Sequence, residues 1–266
     1  MIVQFRKGLG RELVLATLVA AALGLYSGQS PGQEVNRRLE GIITCQQESG
    51  HHMYYVEQTC PLGGETYTAL RLGTHSTYGV HLDLEPVSYM RFPAPLPVCP
   101  SNGFVAYKEA FEAEELERLS AALATEDYRN GLGKHTSYFL LGRLMELTGD
   151  PEALLWWIYL NAAWEADLCA RSDLYGQYVG LVLEHGQRRL SALTPQDEEF
   201  WTLNLVLPNL QRRIGNFDQA RHWLETLAAA HGDDMRADYR PAFTRLETAV
   251  AEEVTDKLPI RDPASD

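Results

Sequence analysis

Cys60-Pro61-Leu62-Gly63-Gly64 and Cys99-Pro100-Ser101-Asn102-Gly103 repeat one Cys-Pro-x-x-Gly frame, and the rest of the chain is arranged around them. Each is half of a Cys-Pro-x-Cys-Gly metal knuckle from which the second cysteine has gone, with Gly63 and Asn102 standing in its place. In a zinc ribbon each knuckle supplies two thiolates, and four sulfurs close a tetrahedral shell. Glycine offers no donor, an asparagine amide is a poor zinc ligand, and two thiolates alone do not make a structural site. Knuckle geometry would still bring Cys60 and Cys99 together, so the expected replacement for the metal is a Cys60–Cys99 disulfide. The alternative is a rescued metal shell of Cys60, Cys99, His75 and His81; His51 and His52 lie in the same module. These histidines follow no ligand spacing, and the expectation is no metal and no cofactor. Independent turns at the two cysteines are the bland alternative, and the four cysteines (Cys45, Cys60, Cys99, Cys169) admit three full pairings.

Working outward, a β-prone run from His51 to Cys60 enters the first knuckle. Glu65 to Leu72 leaves it with a period of two, which predicts a second strand. Gly73 to Pro97 carries Pro86, Pro93, Pro95 and Pro97 and is expected to be extended and irregular. Within it Asp83 and Glu85 alternate with Leu82 and Leu84, which places both carboxylates on a wet face.

From Lys108 the period changes to that of a helix. Helices are expected over 112–124, 138–148, 151–170, 173–193, from Thr194-Pro195 to Gly215, over 217–230 and over 237–254. Asp150-Pro151 and Thr194-Pro195 have the form of a cap followed by proline at the first helical position. The third of these helices (Leu154 to Trp164) is apolar nearly all round and is expected at the centre of the core, with Trp156, Trp157 and Trp164 as packing residues. Pro208 is an expected kink. Gly149 and Gly215 end two helices, lie 66 residues apart and lead into similar Ala and Trp positions. That distance is about two periods of a roughly 34-residue helix-turn-helix repeat. The joint at Gly215, Phe217, Ala220 and Leu224 looks like a tetratricopeptide turn.

Ahead of all this, Arg6, Lys7 and Arg11 precede an apolar run from Leu13 to Tyr26, then small and polar residues. That is a secretory signal, short of the ~20 apolar residues that span a bilayer comfortably, with an uncleaved signal-anchor as the alternative. Residues 1–27 are therefore expected as signal peptide or signal-anchor and 28–44 as linker. Residues 45–107 follow as a β-rich knuckle module, 108–255 as a tetratricopeptide-like helical domain and 256–266 as a flexible tail. A formal net charge of −13 argues against nucleic acid and against docking on anionic lipid, since both need clustered Lys and Arg. There is no Gly-x-Ser-x-Gly, no Gly-rich phosphate loop and no His-Glu-x-x-His, so no catalytic residue is assigned.

Cys60 to Tyr67 and Val98-Cys99-Pro100-Ser101-Asn102-Gly103-Phe104-Val105-Ala106-Tyr107-Lys108-Glu109-Ala110-Phe111, with Tyr138 to Cys169 following more loosely, together resemble a bacterial family of unknown function. That family joins paired Cys-Pro-x-Cys-Gly knuckles to tetratricopeptide-like helices. The resemblance implies a metal-binding scaffold attached to interaction repeats; Gly63 and Asn102 depart from it.

The sequence thus predicts a mainly α fold, a tetratricopeptide-like antiparallel array behind a small β-rich ribbon-like module. The expected role is an exported, non-catalytic adaptor that binds another protein or peptide, in the periplasm or tethered to the membrane facing it. The alternatives are a metal-binding or thiol-redox module at Cys60 and Cys99, and an envelope enzyme with a site between module and helices.

Overall fold

The computed structural model describes residues 53–232 and 235–261, all within one compact unit. The signal, the linker, Cys45, His51, His52 and the last five residues lie outside them.

Met53–Thr59 (β1) and Thr66–Leu72 (β2) pair antiparallel, with Met53 opposite Leu72 and Thr59 opposite Thr66. The first knuckle is the turn between them. Thr77–Val80 (β3) and Pro86–Ser88 (β4) form a second hairpin inside the stretch expected to be irregular. At four and three residues these strands are too short to show a period in sequence.

Eight helices follow among the described residues: α1 (Ala113–Ala124), α2 (Glu126–Gly131), α3 (Ser137–Thr148), α4 (Glu152–Leu168), α5 (Ser172–Leu190), α6 (Glu198–Arg213), α7 (Phe217–His231) and α8 (Arg240–Ala251). The fold is mainly α, preceded by a small β module. α1 opens on a capping box between Glu112 and Glu115, with Glu114 and Glu115 in its first turn where the dipole favours them. α3 and α6 stop in the same way. Gly149 and Gly215 are left-handed (φ 72° and 83°), and the next N–H reaches back to Met145 and Gln211 respectively. This is the Schellman closure expected of both joints. The helix expected from Pro195 begins three residues later. The Asp197 carboxylate accepts from the Thr194 N–H and hydroxyl, so this aspartate, and not Thr194, stands at the cap. Asp150 likewise caps nothing; Pro151 itself precedes α4.

Consecutive helices from α3 to α8 pack on one another, α1 packs on α3, and α8 returns to α6. Two cores result. The larger joins Cys60, Cys99, Phe104 and Val105 of the knuckles to α1–α6. The smaller gathers Phe200, Trp201, Leu224, Phe243 and Leu246 around Leu82 of the β3–β4 loop. The module and the helices therefore share a core and are not separate bodies.

α4 lies in the larger core as expected, through Leu155, Trp156, Tyr159, Leu160 and Trp164, and α6 joins that core to the smaller one. α4 leaves Leu154 and Trp157 exposed, whereas α6 is buried continuously from Leu203 to Arg212 and contributes to both cores. Its polar residues hid this in sequence, and each has a partner. Asn204 bonds Phe200 O and the Trp223 indole N–H, and Gln211 accepts from Asn216. Arg212, fully buried, donates to Asn209 Oδ1 and to the carbonyls of Val254 and Asp256. Burial and the neighbouring Arg213 pull the Arg212 pKa down to about 10, still charged at neutral pH.

Asp256 belongs to the stretch expected to be a flexible tail and Val254 to the end of the helix expected over 237–254, which stops at Ala251. Residues 254–261 instead form a strap: Leu82 N donates to Leu258 O, Ile260 N to Val80 O, and His81 bridges Pro259. The strap adds a strand-like edge to β3, an interaction the sequence cannot show because its partner lies more than 170 residues away. No described helix is long and apolar enough to cross a membrane.

Arg212→Met keeps the apolar stem but orphans the two strap carbonyls. It should lower unfolding free energy by about 2–4 kcal/mol in urea titrations, with faster limited proteolysis at 254–261.

Candidate functional site

The two knuckles are superposable turns. Cys60 N donates to Glu65 O and Cys99 N to Phe104 O, both at 2.8 Å. Gly64 N and Gly103 N return to the carbonyls of Cys60 and Cys99, both at 2.9 Å, and both glycines are left-handed. Cys60 and Cys99 are buried and joined by a disulfide, with Cα atoms 5.6 Å apart. Cys169 is also disulfide-bonded. The histidines of the alternative shell are not brought to the pair. His75 lies against Phe92 and bonds Gly73 O, and His81 belongs to the junction described below.

What does reach the pair is Glu65, its carboxylate within 4.8 Å of both sulfurs. Ser101 holds Oε1 through its N–H (3.2 Å) and hydroxyl (2.6 Å). Asn102 uses Oδ1 to accept from Phe104 N, and its amide nitrogen stands 3.9 Å from Cys60 Sγ. The Phe104–Phe111 continuation is packing: Phe104 and Tyr107 both meet Phe111 edge-on, and Tyr128 of α2 donates to Gly103 O.

A second concentration of chemistry lies where the β3–β4 loop, the end of α4, the end of α6 and the strap meet. The expected wet face of Asp83 and Glu85 is not there. Leu84 is left-handed (φ 66°), which breaks the alternation and turns both carboxylates inward, leaving Asp83 1% exposed. Lys257 sits between Glu85 and Asp167, the latter at 2.8 Å, and Arg213 also reaches Asp167 while lying over the Tyr175 ring. Asp83 Oδ2, His81 Nδ1 and two nitrogens of Arg213 are buried without a hydrogen-bond partner among the described residues. Beside them is a cavity of about 230 Å³ lined by His81, Glu85, Ser88, Met90, Asp167 and Lys257.

Burial pushes the Glu85 carboxyl up to about 7 even with Lys257 against it. Burial would also raise Asp167, but Lys257 and Arg213 hold it below its ordinary value. Lys257 is desolvated too, yet Glu85, Asp83 and Asp167 keep it above its usual range. The proton that moves near neutrality is thus on Glu85, while lysine and Asp167 stay charged. His81 is lowered, first by burial and then by Lys257 and Arg213.

A cavity of about 480 Å³ is a groove on the helical layers. α2 supplies Tyr128, the turn after it Lys134 and His135, α3 Phe139 and Arg143, and α5 Gly180 and Leu181. Its floor is a stack: His135 over Phe139 at 3.9 Å and Phe139 over Tyr178 at 4.9 Å, with the Tyr178 hydroxyl bonded to His135 Nδ1 and accepting from Thr136 N. Burial, then Lys134, Arg171 and Arg143, lowers His135, so the imidazole is neutral at pH 7. The groove could not be found from sequence, because α2 was not expected and the residues carry no motif. No family model, no curated protein and no solved structure matches this chain.

Glu85 binds its proton more tightly folded than unfolded. Its contribution to stability is complete below its unfolded pKa near 4.5 and is lost as pH rises through about 7. Glu85→Gln should flatten stability against pH between those limits, measured by urea unfolding at fixed pH steps.

Proposed function

We propose that this chain is an exported, non-catalytic adaptor that binds a segment of another protein on its helical surface, at the groove between α2, α3 and α5. Export is supported by the basic-then-apolar N-terminus and by the cystines, which persist in oxidising compartments. The tetratricopeptide-like reading of the two glycine joints is supported by their identical closures at Gly149 and Gly215.

One observation carries the binding reading. Gly176 and Gly180 sit in the middle of α5 with open space where a Cβ would stand, and Gly180 lines the groove. A mid-helix glycine costs about 0.8–1.0 kcal/mol relative to alanine, and among the described residues no close approach requires it at 180. The aromatic floor with Lys134, Arg143 and Asp127 at its rim suits an apolar side chain flanked by polar backbone.

A second reading, an enzyme at the junction, is favoured by one specific observation. Glu85 is raised and Asp167 lowered on either side of Lys257 beside a cavity, the pattern of a separated acid and base. Glu85 and Asp167 are both taken up by Lys257, and Asp83 Oδ1 accepts from Glu85 N, which leaves only Asp83 Oδ2 unengaged among the described residues, and the adaptor reading is preferred for that reason.

Gly180→Ala should stabilise the chain by about 1 kcal/mol and Gly180→Arg should leave it folded but fill the groove. A photo-crosslinker at Gln177, applied to an envelope extract, should trap one partner that Gly180→Arg abolishes. Equal trapping by both chains would defeat the groove assignment.

A further inference from the structure

The pair of knuckles holds more than a cystine. A Cβ built on Gly63, the position where a complete knuckle carries its second thiolate, would lie 1.9 Å from Glu65 Oε2 and 2.9 Å from Ser101 Oγ. The carboxylate of Glu65 therefore occupies the space of the missing side chain. Oε1 is fixed by Ser101, while Oε2 is shielded from solvent and accepts no hydrogen bond among the described residues. Burial would raise the Glu65 pKa, but hydrogen bonds from the Ser101 side chain and from the backbone of Glu65 and Ser101 together hold it below its ordinary value. The Gly63 N–H donates to Cys60 Sγ at 3.2 Å, an arrangement that stabilises negative charge on that sulfur. Cys60 Sγ, Cys99 Sγ and a Glu65 oxygen all lie within 4.8 Å of one another.

We propose that the Cys60–Cys99 disulfide gates a metal site, and that on its reduction Cys60, Cys99 and Glu65 bind one thiophilic divalent cation such as Zn²⁺. A dithiol donor delivers two electrons and two protons to the Cys60–Cys99 bond and leaves as its own disulfide. The two thiols then release their protons to solvent as the cation takes two thiolates and one carboxylate. The sulfurs must part to the roughly 3.8 Å spacing of two tetrahedral thiolates. Asn102 does not complete the shell, because its oxygen is committed to Phe104 N. The fourth position is thus left to water, as in sites that exchange a ligand, and not closed as in a structural ribbon. This goes beyond the adaptor reading and does not depend on the groove.

The test uses the full chain, reduced with excess dithiol under anaerobic conditions, freed of reductant and titrated with Cd²⁺. The ultraviolet thiolate-to-metal band reports binding, and far-UV circular dichroism reports the fold. The expected result is one equivalent bound by reduced chain, none by oxidised chain and none by reduced Cys60→Ser/Cys99→Ser. That last chain controls for the thiol that reduction also frees at Cys169. Glu65→Gln should keep the sulfur band but weaken binding by at least the about 10–100-fold that even outer-shell partners are worth. Undiminished binding in Glu65→Gln would overturn the proposal, as would binding retained in the double serine variant. So would a reduced wild-type chain that stays folded without binding, or one that melts and is not restored by Cd²⁺.

Discussion

Two turns closed on each other by the Cys60–Cys99 bond fix where the β module meets the helices. A two-stranded hairpin is marginal alone in water, and here β1–β2 and β3–β4 are separate two-stranded sheets. Their order comes from outside. The cystine is buried in the larger core, and Gly103 O receives the Tyr128 hydroxyl from α2. Closing a loop of 39 residues contributes roughly 3–4 kcal/mol in the chain-entropy model, comparable to a large part of a domain's net stability.

The other end of the module is tied by a different chemistry. Leu82 enters the smaller core, and the strap lies across it, held by Arg212 from beneath and Lys257 from the side. Burying these charges costs desolvation that an apolar contact would avoid. What they add is direction. Arg212 has two carbonyls to meet and Lys257 two carboxylates on different elements, so only one placement of the strap satisfies both.

Most helices were legible because period and stop signals agree: 112–124, 138–148 and 217–230 match α1, α3 and α7 within about two residues. The cysteine pair was legible because the frame is repeated. The failures share a cause, that the deciding partner is distant in sequence. Asp83 and Glu85 look solvent-facing until Lys257 arrives. The strap looks loose until β3 and Arg212 receive it, and α6 looks polar until Trp223 and Val254 supply partners. Glu65 was invisible as a ligand because its position depends on an absent side chain, that of Gly63.

Leu84 and the α5 glycines are two of the places among the described residues that hold conformations costing free energy, and comparing them bears on the functional readings. At the junction, a left-handed leucine costs roughly 1–2 kcal/mol, and a carboxylate is buried next to it. That expense is recovered inside the chain, because the turn at Leu84 is what delivers Glu85 to Lys257 and seats Leu82 in the smaller core. At the groove, α5 gives up a similar amount at Gly176 and Gly180, and no atom of the described residues lies within 4 Å of where either Cβ would be. A cost with an internal return explains itself structurally. The cost at Gly180, which lines the aromatic-floored groove, has no such return among the described residues, and that contrast is what supports the groove as the binding face in the adaptor proposal.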